Sequence, residues 1–285
     1  MSRNLVLATL VVILCGTLAC LAGLVPGASR ARGPGAARER AAWWRLWAPL
    51  TPAAIVLALL VGWALQEPSV TDEILTPWAL ALATPLVFVW GRALIRAVAA
   101  LRAPRGHLPA VVVGLLRPRV IIDPVFGQTL DADALTAVFE HEHAHVRHYD
   151  PLSIWLAQIA TDLQWPSRLA PARLTDWLDA LEDARDDEAR RAGVRGEDLA
   201  DAIVRAARAV RSPSLPRAAA TLGARAIRLA ERVDRLLRPL DREARLGHTR
   251  VAIATSALAL AVVFAALLGW TNGDDVLRAL PFVRS

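Results

Sequence analysis

Apolar and polar positions divide this chain into membrane-length runs and one long amphipathic stretch. Leu5 to Val25 and Val251 to Trp270 carry no charged residue, and each is long enough to cross a hydrocarbon core as a helix. Leu50 to Leu65 sits near the short limit for a span, and Ile74 to Val98 is apolar until Arg92 and Arg96 near its end. The pattern therefore predicts four transmembrane helices, at about 5–25, 50–65, 74–98 and 251–270. They frame a membrane region over 1–100, a polar domain over 101–250, and a closing unit of span and short tail over 251–285.

Within the polar domain, "AVVVGLLRPRVII" at 110–122 is rich in β-branched residues and is interrupted by Gly114 and Pro118. Proline cannot donate to a central ladder, so this reads as an edge strand or as a strand pair bent at those positions. An extended peptide could add to such an edge through Val112, Gly114 and Leu116, although an ordinary strand stacked on helices fits the same residues. Asp131 is placed to cap a helix running to about Tyr149, and the Asp150-Pro151 step disfavours its continuation. "SIWLAQIATDLQWPSRLAP" is apolar enough for a buried or membrane-grazing helix that stops at Pro166. A further helix is expected over Ala172–Ala192, closed by Gly193. After Gly196 the spacing is again helical, broken by "SPSLP" at 212–216, and the stretch ending in "RLAERVDRLLRP" reads as an amphipathic or solvated helix before the last span.

Composition agrees with a membrane protein, since 55% of the 285 residues are hydrophobic. Leu5–Val25 exceeds the usual length of a signal-peptide core and lacks a convincing cleavage site. Cys15 and Cys20 fall inside that span, away from other ligand types, and read as apolar packing residues. The net charge of +6 is carried by arginine, for the chain has no lysine. Its distribution follows topology: segment 26–48 contains Arg30, Arg32, Arg38, Arg40 and Arg45, whereas 66–73 contains Glu67, Asp72 and Glu73 without a basic residue. The positive-inside rule then puts the 101–250 domain in the cytoplasm and both termini outside the plasma membrane. Trp43, Trp44, Trp47 and Trp270 stand where interfacial anchors belong. Because the arginines follow topology, direct nucleic-acid binding is not expected.

Four of the six histidines lie in "EHEHAHVRHYD", residues 140–150. His141 and His145 are one helical turn apart on one face, with Glu142 beside them, whereas His143 points away. Two imidazoles at this spacing can share a tetrahedral zinc ion and leave the intervening glutamate near a water that the ion polarises. Glu142 would be the general base. A third ligand must come from another element, and "LEDARDDEA" at 181–189 offers Glu182, Asp183, Asp186, Asp187 and Glu188 without choosing among them. An acidic run of this kind is ordinarily a solvated face.

"VFEHEHAHVRHYDPL" followed by "LEDARDDEA" resembles the BlaR/MecR-type integral-membrane zinc metallopeptidases, the antirepressor family. In that family a helix with H-E-x-x-H, often continued by x-x-x-x-D, is followed by E-x-x-x-D on a second helix. The resemblance implies one zinc per chain held by His141, His145 and Glu182, with Glu142 as base and Asp186 and Asp150 orienting ligands. "VGLLRPRVII" is similar to the family's G-x-x-x-P-x-I segment. Two departures stand out. Only Thr271–Ser285 follows the fourth apolar run, which gives no support for a penicillin-binding sensor, and position 143 is a histidine where the family pattern is apolar.

The expectation is thus a mainly α, polytopic membrane protein with a cytoplasmic, zincin-like α+β catalytic domain and a small edge-strand element. It would be an endopeptidase acting on a cytoplasmic protein, with a transcriptional repressor or the enzyme itself as the class implied by kinship. HtpX-like and CaaX-processing membrane zinc proteases share both motifs but typically place two spans before the zinc helix. A non-catalytic membrane scaffold would tolerate glutamine at 142, and a closed structural zinc site would supply four protein ligands.

Overall fold

The computed structural model describes residues 3–25, 34–66, 74–75, 77–102, 108–209, 219–240, 247–280 and 283–284. The expected "SPSLP" break and the charged residues Arg30, Arg32, Glu67, Asp72 and Glu73 lie outside the described residues.

Helices dominate. α1 (Arg3–Leu10) and α2 (Gly16–Gly23) are joined through a π turn at Val11–Cys15 into one apolar rod. α3 (Gly35–Trp47) passes through a 3-10 turn at Ala48–Leu50 into α4 (Thr51–Gln66), and Pro49 and Pro52, which have no N–H to give, fall at that change of winding. Ile74–Leu75 form β1, and α5 runs over Pro77–Arg102. By length and apolarity three helical stretches among the described residues can cross a membrane: Leu5–Gly23, Gly35–Gln66 and Pro77–Arg102. The third therefore begins later than the 74–98 expected, because residues 74–75 pair as an extended strand with Val283–Arg284 and Pro77 opens the helix.

β2 (Ala110–Val113) and β3 (Arg119–Ile122) form an antiparallel hairpin, followed by α6 (Pro124–Gln128), α7 (Ala132–Arg147), α8 (Asp150–Leu163), α9 (Leu169–Arg191), α10 (Gly196–Ala209), α11 (Ala219–Leu237), α12 (Gly247–Arg278) and the short β4 (Val283–Arg284). The hairpin turns at Gly114, whose φ of +100° and close approach to the Arg117 carbonyl exclude a side chain. α12 covers the expected fourth span and kinks beyond it at Asn272, and among its described residues the apolar stretch is Ala257–Gly273, shorter than the other three. It lies against α4 with almost no space between backbones: a Cβ on Gly62 would come within 2.0 Å of the Ala266 carbonyl, and one on Gly269 within 1.9 Å of the Leu59 carbonyl. Small residues at such a seam are what close packing of membrane helices requires.

The polar helices are fixed to the apolar ones by specific contacts. Trp155 donates to the Ala97 carbonyl at 3.0 Å, and the buried Asp162 carboxylate of α8 lies 3.3 Å from Arg92 and 3.0 Å from Arg96. The two arginines near the end of α5 thus have a buried partner. At the other side α3 rests along α9, with Ala42 and Leu46 buried against Trp177, Ala180 and Leu181. Trp43 stacks obliquely on Trp177, centroids 5.1 Å apart, and on Trp47 at 5.4 Å. Trp43 and Trp47, expected at the membrane interface, line the seam where α3 meets α9. Ser167 donates to the Gly23 carbonyl at 2.6 Å and Cys20 to that of Trp165 at 3.1 Å, which ties the α8–α9 turn to the end of α2.

Candidate metal centre and peptide groove

α7 starts where Asp131 accepts from the Ala134 amide at 2.8 Å. Its buried face carries Ala134, Ala137 and Ala144, small enough to bring the helix close to its neighbours, and places His141 and His145 inward. The helix stops at Arg147 because Tyr149 turns left-handed, with φ of 53°, and α8 begins at once with Asp150 and Pro151. That tight reversal folds Asp150 back under His145. His143 is exposed on the far side and stacks on Phe139.

The two imidazoles are each held by an acid from another element. His145 donates from Nδ1 to Asp150 at 2.7 Å, and Nδ1 of His141 lies 3.0 Å from Asp186. Their Nε2 atoms therefore face each other, 3.1 Å apart. The Glu182 carboxylate completes the cluster, 3.6 Å from His141 Nε2 and 3.8 Å from His145 Nε2. One donor atom from each of the three lies within 4.8 Å of the others. Nitrogens bound at 2.0–2.1 Å to one tetrahedral ion stand roughly 3.3 Å apart, so the donor set fits a zinc-sized cation with little movement. Among the candidates on the acidic helix, Glu182 is brought to the imidazoles and Asp186 behind them, while Asp183, Asp187 and Glu188 engage elsewhere.

The acids of α9 are not a solvated face. Asp186 is fully buried, and Asp183 and Asp187 nearly so. They are gripped from two sides. The Gly35 amide donates to Asp187 at 2.8 Å, and Arg38 pairs with Asp183. From α11, Arg232 takes Asp186, and Arg235 takes Asp183 and Asp187. Arg185, also on α9, turns toward α8 and donates twice to Asp150, at 2.6 and 2.8 Å, and reaches Glu39 of α3 at 3.3 Å. Sequence reasoning missed these arginines. The spacing of Arg228, Arg232 and Arg235, which puts them on one helical face, was the available signal.

Ionisation follows from these partners. Burial raises the Asp186 carboxyl, but Arg232 and His141 outweigh it and hold the group far below the usual carboxylate range. Burial likewise opposes charge on Asp150, and hydrogen bonds from Arg185 and His145 again win and lower it. For His141, burial disfavours the cation, yet hydrogen bonding to Asp186 and Glu182 pulls the ring up to about 9. Glu142 goes the other way: burial raises its carboxyl, more than the neighbouring His141 and His145 lower it.

The cluster forms the floor of a cavity of about 790 Å³, lined by Glu142, by β2, by Ile154 and Trp155 of α8 and by Leu199 and Ile203 of α10. The hairpin register has a direct consequence here. Asp123 donates to the Pro109 carbonyl at 2.9 Å, and Val111 stands opposite Ile121 and Val113 opposite Arg119, so these odd positions turn their backbone groups toward β3. Val112, and Gly114 just beyond it, then face the unpaired edge along the cavity. Leu116 does not belong with them. The strand ends at Val113, the chain bends after Gly114, and Leu116 is 77% exposed outside the cavity lining.

Residues 94–168 match the family model described as BlaR1 peptidase M56. No curated protein and no solved structure matches the chain. The family match supports the BlaR/MecR-type resemblance drawn from the motifs, and with the apolar helices it points to a membrane protein of a peptidase family that is generally metal-dependent. It takes in the end of α5, the hairpin, α7 and α8, and so includes His141, Glu142, His145 and Asp150. It stops before α9, where Glu182 and Asp186 stand on geometry.

Proposed function

We propose that this protein is an integral-membrane, zinc-dependent endopeptidase. The observation that carries the reading is the convergence of His141, His145 and Glu182 beside Glu142 on the floor of a cavity bordered by an unpaired strand edge. Zinc in that position would supply a Lewis acid for the peptide carbonyl and lower the pKa of a water molecule toward neutrality. An extended peptide would lie along β2, hydrogen-bonded to the outward backbone groups of Val112 and Gly114, as β-augmentation requires. Glu142 would take a proton from the attacking water and pass it to the leaving amine. Burial raises its pKa, the direction that suits a group which must both accept and return a proton. Asp150 and Asp186 would keep the Nδ1 hydrogens of the two ligand histidines occupied and their Nε2 lone pairs free.

For topology we propose four spans, α12 being the fourth, with the catalytic helices cytoplasmic and both termini external. The arginine distribution and the close α4–α12 seam support this. The substrate class proposed is a cytoplasmic protein, a transcriptional repressor by kinship with the antirepressors, or the enzyme's own loop.

The deciding experiment is the zinc content of detergent-purified protein beside Glu182→Gln and His145→Ala. About one zinc per chain, lost or greatly weakened in both variants, is expected. A well-folded wild type without zinc would leave a membrane scaffold as the better reading. Glu142→Gln should keep its zinc and lose proteolysis of co-expressed repressor candidates by at least 100-fold, the lower range for losing a general base. Cleavage that persists in that variant would remove Glu142 from the mechanism.

A further inference from the structure

The metal-side carboxylates are held by an arginine from a different helix. Arg232 of α11 donates from Nε and Nη2 to the two oxygens of Asp186, both at 2.7 Å, and its Nη1 stands 2.9 Å from Glu182. Nη2 is also 3.5 Å from His141 Nε2. Since Asp186 contacts His141, one guanidinium closes a ring that runs from His141 to Asp186, to Arg232, to Glu182 and back to His141.

We propose that Arg232 is a positioning residue for the metal centre. It holds Glu182 and Asp186 at once, fixing the direction of the Glu182 carboxylate and, through Asp186, the ring of His141. The proposal rests on His141, His145 and Glu182 being the ligands.

Chemistry favours this role over a generic bridge. The Asp186 side chain is 0% exposed, so its charge needs a fixed partner, and only a planar fork can serve it bidentately while a third nitrogen reaches Glu182. A lysine offers one point charge and cannot span both carboxylates. The neighbouring arginines of α11 do something else. Arg228 pairs with Asp179, and Arg235 pairs with Asp183, Asp186 and Asp187, without touching a ligand atom. Metal binding is therefore linked to the seating of α11 on α9 through Arg232, which reaches both Glu182 and Asp186, with Arg235 meeting Asp186 at the longer distance of 3.3 Å.

The test uses the full chain in detergent, with Arg232→Lys, Arg232→Gln and Arg228→Gln beside the wild type. Zinc affinity is read by competition with a chromogenic chelator, and coordination geometry by the visible spectrum of the cobalt-loaded proteins. Loss of a group that orients a ligand typically weakens metal binding 10- to 100-fold. We expect at least a tenfold loss and an altered cobalt spectrum in both Arg232 variants. Arg228→Gln, which removes another α9–α11 bridge, should stay within threefold with an unchanged spectrum. Circular dichroism of the metal-free proteins establishes that each is folded, and if Arg232→Gln is not, the charge-preserving Arg232→Lys decides. Zinc bound equally well or more tightly by the Arg232 variants overturns the proposal alone, as does an equal loss in Arg228→Gln. No zinc in the wild type overturns the ligand reading and the proposal with it.

Discussion

Asp150 shows how much can depend on one carboxylate. It accepts from His145 and twice from Arg185, all three groups being buried. Replacing it with asparagine keeps the shape but strips the charge, leaving Arg185 with Glu39 at 3.3 Å as its remaining carboxylate partner. Breaking a buried pair in this way costs about 3–5 kcal/mol, and a released ligand histidine weakens metal binding about 10- to 100-fold. Asp150→Asn should therefore lower both the thermal unfolding temperature of the metal-free protein and its zinc affinity. Glu142→Gln, which bears on proton transfer and not on ligand orientation, should lower neither. Calorimetry and chelator competition on the two variants separate the roles, and equal behaviour would sink the distinction. At this scale the sequence was informative about α7, since H-E-x-x-H encodes its own geometry through the 3.6-residue repeat. It was silent about Arg185 and Arg232, because their partners come together only after α8, α9 and α11 have packed.

Among the elements, α7 is the one whose start is most sharply specified. Asp131 caps the Ala134 amide, and truncating such a cap costs about 1 kcal/mol. Asp131→Ala should reduce stability in urea by that amount while leaving zinc bound, because His141 and His145 lie more than two turns away. A loss of zinc in that variant would mean that the helix frays as far as its ligands. Periodicity placed α7 and α9 within a few residues because both have clear caps, Asp131 at one start and Gly193 at the other end. The acidic run of α9 departs from the ordinary solvated face for a physical reason. Burial of Asp183, Asp186 and Asp187 is possible only with Arg38, Arg232 and Arg235 supplied from α3 and α11, and no local pattern announces partners 46 to 145 residues away. The hairpin was legible as a bent strand pair at Gly114 and Pro118, but its length was not. The left-handed φ at Gly114 ends β2 at Val113, well before Pro118 is reached.

For the whole molecule the architecture turns on the last helix. α12 runs from Gly247 to Arg278 with a kink at Asn272, and among its described residues the apolar stretch is Ala257–Gly273, shorter than the three clear spans. Its backbone nonetheless meets α4 at Gly62 and Gly269 more closely than any side chain would permit, and α4 belongs to a clear span. Two helices that touch carbonyl to glycine must run through the same medium, so α12 should share the bilayer with α4. Gly269→Leu would force them apart, at a cost of roughly 1–3 kcal/mol for overpacking, and should lower the thermal stability of the detergent-solubilised protein. Topology can be read independently in intact cells. In a background with Cys15 and Cys20 replaced by alanine, a membrane-impermeant thiol reagent should label Ser285→Cys and leave Arg191→Cys untouched until the cells are broken. Protection of both would put the C-terminus on the same side as the metal centre and remove α12 from the spans, whatever the stability of Gly269→Leu.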